Sequence, residues 1–268
     1  MFAIILLIIN FTVSVLGVYL FDYQIDGIIN SPVIIILSIL AGTLAMFVVF
    51  FLYVDIFYFL VAKRKPKNSK LKHFIAKQIM TVPLVATNTR IKVVGLENLP
   101  KDPGFSIYSN HTSMMDIPVL MYKLKKYPVA FLAKQVVGDL FSVGKWTPEL
   151  GCVMIDRTNP RKGAEAIINV IKNVKSGISM VVFPEGTRSP KVGELIEFKP
   201  GSFKVALKSK APLVPITISK PKNFKSVKWP MPKRITIVIH EPIPFEDIKG
   251  MPSMDLADKV KTIIEGSL

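Results

Sequence analysis

The sequence predicts an α/β domain, a mostly parallel sheet covered by helices, carried on an N-terminal pair of membrane helices. Three observations lead there. Apolar, β-rich runs alternate with helical patterns over most of the chain, the pattern of strands joined by covering helices. Charge divides the 268 residues in two: from Met1 to Ala62 there is no Lys or Arg and only three acids, Asp22, Asp26 and Asp55. The other 206 residues (268 − 62) hold all 35 basic and 16 of the 19 acidic residues, so a net +16 overall becomes +19 there. We therefore expect a two-helix membrane anchor over residues 1–62 and one domain over residues 63–268, long enough to bury an ample core. The single Cys152 excludes an internal disulfide, offers no zinc framework and suits a reducing compartment; no metal is expected.

The elements follow in order. Residues 2–21 are an uncharged, mostly apolar run, enough to cross roughly 30 Å as a helix. A cleaved signal peptide would want a basic leader and a small-residue cleavage site, and neither is present. Asp22 to Ser31 reads as a polar turn. Ser31 and Pro32 then open a second helix, as N-cap and first helical residue. Its apolar run ends near Val54, with Tyr53, Phe57, Tyr58 and Phe59 as an interfacial aromatic belt. Lys63, Arg64, Lys65, Lys67, Lys70 and Lys72 follow as a polybasic cluster that the positive-inside rule makes cytoplasmic. A spanning pair and a hairpin dipping into one leaflet both satisfy these signals.

Strands are expected at Arg90–Val94, Phe105–Tyr108, Val129–Leu132, Cys152–Ile155, Ser179–Phe183, Leu213–Ile218 and Ile235–Ile239. Helices are expected near Ser113–Lys125, Arg161–Lys175, Ser202–Lys208 and Met254–Ile264, and His73 falls in a basic helix. Lys220–Arg234 is irregular: six cations interleaved with Phe224, Trp229 and Met231, which reads either as a lipid-facing surface or as a solvated loop. Cys152 reads as core rather than nucleophile.

The candidate site starts from Asn110-His111-Thr112-Ser113-Met114-Met115-Asp116. A His that removes a proton from a hydroxyl needs its other ring nitrogen held by an acceptor, and a carboxylate does this well. Five residues match no helical neighbour spacing, so His111 belongs in the turn and Asp116 on the first helical turn, folded back to meet it. Two more stretches end strands in charged groups: Gly151–Arg157 closes on Asp156 and Arg157, and Phe183–Ser189 on Glu185, Gly186, Thr187 and Arg188. Open α/β sheets bind ligands beyond the carboxyl ends of their strands, and two guanidinium groups there, one beside an exposed glycine turn, make a phosphate site. The competing reading is two surface arginines paired with Asp156 and Glu185.

The ordered blocks NHTSMMD, GCVMIDR, FPEGTRS and VPI resemble those of the PlsC-type glycerolipid acyltransferases, the 1-acylglycerol-3-phosphate acyltransferases and their glycerol-phosphate acyltransferase relatives. The resemblance covers roughly Arg90 to Ser219, and its third block matches without substitution. It implies that His111 is the general base, oriented by Asp116. It implies that Arg157 and Arg188 hold the acceptor phosphate, in a loop shaped by Glu185, Gly186 and Thr187. Lys134 is similar to a family lysine near the thioester carbonyl, a role as oxyanion stabiliser. Here the chain departs from the family, with Val136 and Val137 where an acid and a leucine usually follow, and Met154 where an aromatic is common. The N-terminal apolar pair also looks like the tether of some bacterial members.

The function implied is acyl transfer from coenzyme A or acyl carrier protein to the free hydroxyl of 1-acyl-glycerol-3-phosphate, giving phosphatidic acid at the inner membrane. No further cofactor is expected, since a thioester is already activated. The rivals are acylation of glycerol 3-phosphate or of another lysophospholipid, and a non-catalytic, membrane-tethered anion-binding protein. No Gly-x-Ser-x-Gly elbow argues for a hydrolase, and no nucleic-acid fold signature accompanies the charge, so no nucleic-acid partner is expected.

Overall fold

The computed structural model describes residues 1–24, 32–156 and 159–268. Two long apolar helices open the chain, α1 (Phe2–Gln24) and α2 (Pro32–Phe57), the latter ending in a wider π turn over Tyr58–Ala62. Of the polar turn expected over Asp22 to Ser31, residues 22–24 continue α1 instead, and the rest, with the expected N-cap Ser31, lies outside the described residues. The two helices run antiparallel through small residues. A Cβ on Gly42 would lie 2.3 Å from the Ser14 hydroxyl, and one on Gly17 would lie 2.9 Å from that of Ser38. Small residues let helix backbones approach where surrounding lipid supplies no hydrophobic drive. The Asn10 amide donates to the Thr43 hydroxyl at 3.1 Å, joining the pair through their apolar layer.

The remaining elements are α3 (Lys70–Ala86), β1 (Thr89–Val94), β2 (Ser106–Ser109), α4 (Asp116–Lys123), β3 (Val129–Lys134), α5 (Trp146–Glu149), β4 (Val153–Ile155), α6 (Pro160–Lys175), β5 (Ser179–Val182), α7 (Lys204–Ser209), β6 (Leu213–Ser219), β7 (Lys233–Ile239) and α8 (Ser253–Glu265). All seven expected strands form. They make one sheet in the order β1-β7-β6-β2-β5-β3-β4, and of these strand pairs only β6 with β7 is antiparallel. The strands from β6 to β4 are mutually parallel, so their carboxyl ends share one edge. α6 starts at the Asn159 side chain, which accepts from the Arg161 and Lys162 amides at 3.0 and 3.3 Å. Its Ala166, Val170 and Val174, at helical spacing, pack on β4 and β5.

Three expectations change. Cys152 precedes β4 rather than lying in it; burial pushes its thiol up to about 11, which leaves it unreactive at neutral pH. Lys72, expected in the cytoplasmic polybasic cluster, turns inward, its Nζ 3.1 Å from the Glu149 carbonyl and 3.5 Å from the Glu149 carboxylate. Its neighbour Lys77 is buried too, capping the carbonyls of Lys125 and Tyr127 at 2.8 and 2.6 Å. These ammonium groups donate to backbone carbonyls at and just beyond the ends of α5 and α4. The Lys220–Arg234 stretch is divided rather than uniformly surface-lying: Lys220 and Phe224 are buried, while Trp229 and Met231 stay 75% and 65% exposed. His73 is buried against α3's start, its Nε2 2.8 Å from the Lys67 carbonyl, and burial drives its pKa down to about 4.

α2 ends inside the domain. Val54, Val61 and Ala62 join a core with Ile75, Ile79 and Trp146, and the Trp146 indole donates to the Val54 carbonyl at 3.1 Å. An ion pair between Lys145 and Asp55, at 2.6 Å, flanks that contact.

Candidate active site

The site is assembled at the carboxyl edge of the parallel strands. β2 delivers Asn110 and His111, β5 delivers Glu185 to Arg188, β3 ends in Lys134, β4 leads to Asp156, and β6 leads to Lys220. Asn110 fixes the turn. Its amide copies a strand partner, donating to the Ile218 carbonyl at 3.0 Å and accepting from the Ile218 amide at 2.7 Å. The adjacent β5 loop holds the turn from the other side: Ser189 donates its amide to the His111 carbonyl at 2.7 Å.

His111 and Asp116 meet as their spacing predicts. The His111 Nδ1 lies 2.8 Å from Asp116 Oδ2, which also accepts from the Thr112 and Ser113 amides at 2.8 and 2.9 Å. A carboxylate only accepts, so Nδ1 carries a proton, and in the neutral ring Nε2 keeps the lone pair. The ring stacks on Phe183, centroids 4.1 Å apart, and 16% of the side chain remains exposed, enough to reach a ligand. Asp116 is wholly enclosed. Burial favours its neutral form, but the His111 hydrogen bond and the Lys220 ammonium outweigh it and hold the pKa below the ordinary carboxylate range.

Lys220 is the site residue that sequence reasoning misses, because its irregular, basic surroundings read as surface. Its Nζ forms short contacts to Asp116 Oδ1 and the Thr112 hydroxyl, and lies 5.2 Å from the centre of the Phe224 ring. Only its position, one residue after the strand of the VPI block, marks it in the sequence.

Glu185 faces inward rather than toward a ligand. One carboxylate oxygen accepts from the His111 amide at 2.8 Å, the other from the Ile196 amide at 3.1 Å. Burial pushes its pKa up to about 7 despite those two bonds. The alternative pairing of Glu185 with Arg188 is thus not formed, and Arg188 is exposed. Gly186 turns the loop with φ of 75°, and a Cβ there would press on the Lys199 side chain at 3.0 Å. Thr187 is exposed beside it.

Two clefts open on this edge. One, of about 440 Å³, is lined by Thr112, Ser113, Met114, Arg188, Lys220, Phe224 and Lys225. Its charged lining is wholly basic. The other, of about 870 Å³, is lined by Lys134, Met154, Asp156, Lys162 and Glu165 among others. The structure thus brings His111, Asp116, Glu185, Gly186, Thr187 and Arg188 together, and puts Lys134 at the neighbouring cleft. Arg157 lies outside the described residues. Among those residues, no cluster of three or more metal-ligating side chains occurs.

The sequence pattern of the family described as Acyltransferase matches residues 90–219. A 1-acyl-sn-glycerol-3-phosphate acyltransferase of Bacillus subtilis is 30% identical over 165 residues, which are 62% of this chain and 79% of that protein. The chain belongs to this acyltransferase family. A chloroplastic family member from Arabidopsis thaliana, also named 1-acyl-sn-glycerol-3-phosphate acyltransferase, is 36% identical over 154 residues, 57% of this chain. The chain spans 42% of that relative's length, and 61% of the Borreliella burgdorferi member's. The crystal structure of the Thermotoga maritima 1-acyl-sn-glycerophosphate acyltransferase shares the fold, with a TM-score of 0.61 and 23% identity over 81% of this chain and 91% of that one. The matched segment, 90–219, runs from β1 to the end of β6 and so contains every strand end that builds the site.

Proposed function

We propose that this chain transfers an acyl group from a coenzyme A or acyl carrier protein thioester to the free hydroxyl of 1-acyl-glycerol-3-phosphate, giving phosphatidic acid. The observation that carries the reading is a partly exposed His111 ring held at Nδ1 by Asp116, directly before Thr112, Ser113 and Met114, which line a cleft whose charged side chains are all basic. In this mechanism the acceptor phosphate binds Arg188 and Lys225, and the glycerol hydroxyl meets Nε2. Nε2 takes the hydroxyl proton as oxygen attacks the thioester carbonyl; the thiolate then leaves and recovers that proton from the imidazolium. Arg157 is assigned to the same phosphate. Lys134 is assigned to the thioester carbonyl, with the donor in the larger cleft. Glu185, Gly186 and Thr187 shape the phosphate loop, Glu185 through the two amides it accepts. Purified protein in detergent should release free thiol from an acyl thioester only when lysophosphatidic acid is present. Thiol release without an acceptor, or none with it, would sink the assignment.

We further assign residues 1–62 as a membrane anchor and 63–268 as the catalytic domain, facing the cytoplasm at the inner membrane. Phe2–Leu20 and Pro32–Ala62 are long and apolar enough to cross a membrane, with mean hydropathies of 2.4 and 2.8. The loop after β3 continues that apolar surface. Val136, Leu140 and Phe141 are exposed, and the Phe141 ring meets Phe51 of α2 at 5.2 Å. Deleting residues 1–62 should leave the α/β domain folded in detergent, because the sheet and its helices are complete without them. It should retain turnover of short-chain acceptors and lose turnover of acceptor held in vesicles. Because Val54, Val61 and Ala62 cover Ile75 and Ile79, a lower melting temperature should accompany the deletion. Unchanged vesicle activity would overturn the anchor.

A further inference from the structure

We propose that Lys220 is a positioning residue of this site: a buried cation that locks Asp116 as a carboxylate and keeps His111 uncharged, and so able to act as a base, at neutral pH. The inference rests on the reading of His111 as the base. Its starting point is geometry. A lysine on an irregular, strongly basic stretch is ordinarily solvated, yet the Lys220 side chain is 1% exposed and faces a carboxylate that is 0% exposed.

An ammonium has three N–H groups and no acceptor. Two of them have oxygen partners, Asp116 Oδ1 and the Thr112 hydroxyl, and the third is left to the face of Phe224. Asp116 is complete from its own side: Oδ2 takes His111 and two backbone amides, and Oδ1 takes Lys220. Without the cation, an enclosed carboxylate facing His111 would either take up a proton or draw one onto the imidazole. A protonated imidazole has no lone pair for the acceptor hydroxyl. A neutral carboxyl would hold the Nδ1 proton less strongly and so orient the ring less firmly.

The other charged groups near the pair leave this role to Lys220. Glu185 reaches the backbone amide of His111 and not its ring. Arg188 and Lys225 line the open cleft. Lys233 of β7 lies on the Phe224 ring, 5.4 Å from its centre. Within the described residues, Lys220 is the cation in hydrogen-bonding contact with Asp116.

The test is the pH dependence of kcat/KM in the full chain. Lys220→Met should move the acidic limb up by about one pH unit, because His111 then faces an uncompensated carboxylate. Turnover at pH 7 should fall about two- to fivefold, the range a one-unit rise allows for a base that is uncharged at that pH. Lys220→Cys in a Cys152→Ala background, alkylated with 2-bromoethylamine, restores an ammonium at nearly the same reach and should return the limb. Should Lys220→Met fail to fold, Lys220→Gln keeps a donor toward Asp116 without the charge and carries the same expectation. A folded neutral variant with an unmoved limb overturns the proposal. So does a variant whose only change is a higher acceptor KM, since Lys220 would then bind the acceptor phosphate. If His111→Ala keeps its turnover, the base reading itself fails; if that variant is inactive and the limb stays put, only the role of Lys220 does.

Discussion

His111→Ala should lose acyl transfer by about 10²–10⁴-fold, the usual contribution of a general base, with the fold intact. The ring makes few structural contacts beyond its stack on Phe183 and its bond to Asp116, and its backbone anchors do not depend on the side chain. Asp116→Asn should cost nearly as much. The carboxylate oxygens receive donors on both sides: three on Oδ2 and the Lys220 ammonium on Oδ1. An amide has one oxygen and one NH₂, so whichever way it turns, its NH₂ meets a donor. The variant thus loses either the ring's orientation or the match to a buried cation, and the second loss lowers stability as well. Steady-state turnover and melting temperature measured on both variants check this. Near-normal turnover in His111→Ala would overturn the mechanism.

Arg188→Ala should raise the acceptor KM roughly ten- to a hundredfold, the loss of one charge-assisted contact of about 1.5–3 kcal/mol. The donor KM should hardly move. Arg188 is exposed and unpaired with Glu185, and it shares its cleft with Lys225, so its guanidinium is available to a phosphate monoester. Arg188→Lys should recover part of the loss, since it keeps the charge but not the two-pronged geometry. A role in holding the fold would instead lower the melting temperature and leave both KM values in place. If the donor KM rises alone, the cleft belongs to the donor's phosphates.

Much of this protein is legible in its local sequence. The seven strands and the two apolar helices follow from periodicity, which is set by residues one to four positions apart. The five-residue spacing of His111 and Asp116 is readable for the same reason, as is the need of the Gly186 turn for a glycine. The blocks around Asp116, Asp156 and Arg188 fall at strand ends, so their convergence on one edge follows once the sheet is parallel.

Long-range chemistry is not legible in this way. Composition assigns lysines to water or to a membrane surface, yet Lys72, Lys77 and Lys220 are buried, because each meets oxygen acceptors that only folding brings near. Lys220 reaches Asp116 across 104 residues, and Lys72 reaches Glu149 across 77. Glu185 likewise reads as part of the phosphate loop or as the partner of a surface arginine, whereas the amides of His111 and Ile196 claim its oxygens. Local periodicity and short spacing are enough to encode the strands, the two apolar helices and the histidine–aspartate pair. Which charges face the open clefts and which hold the site emerges on folding, because a buried charge is set by partners distant in the chain.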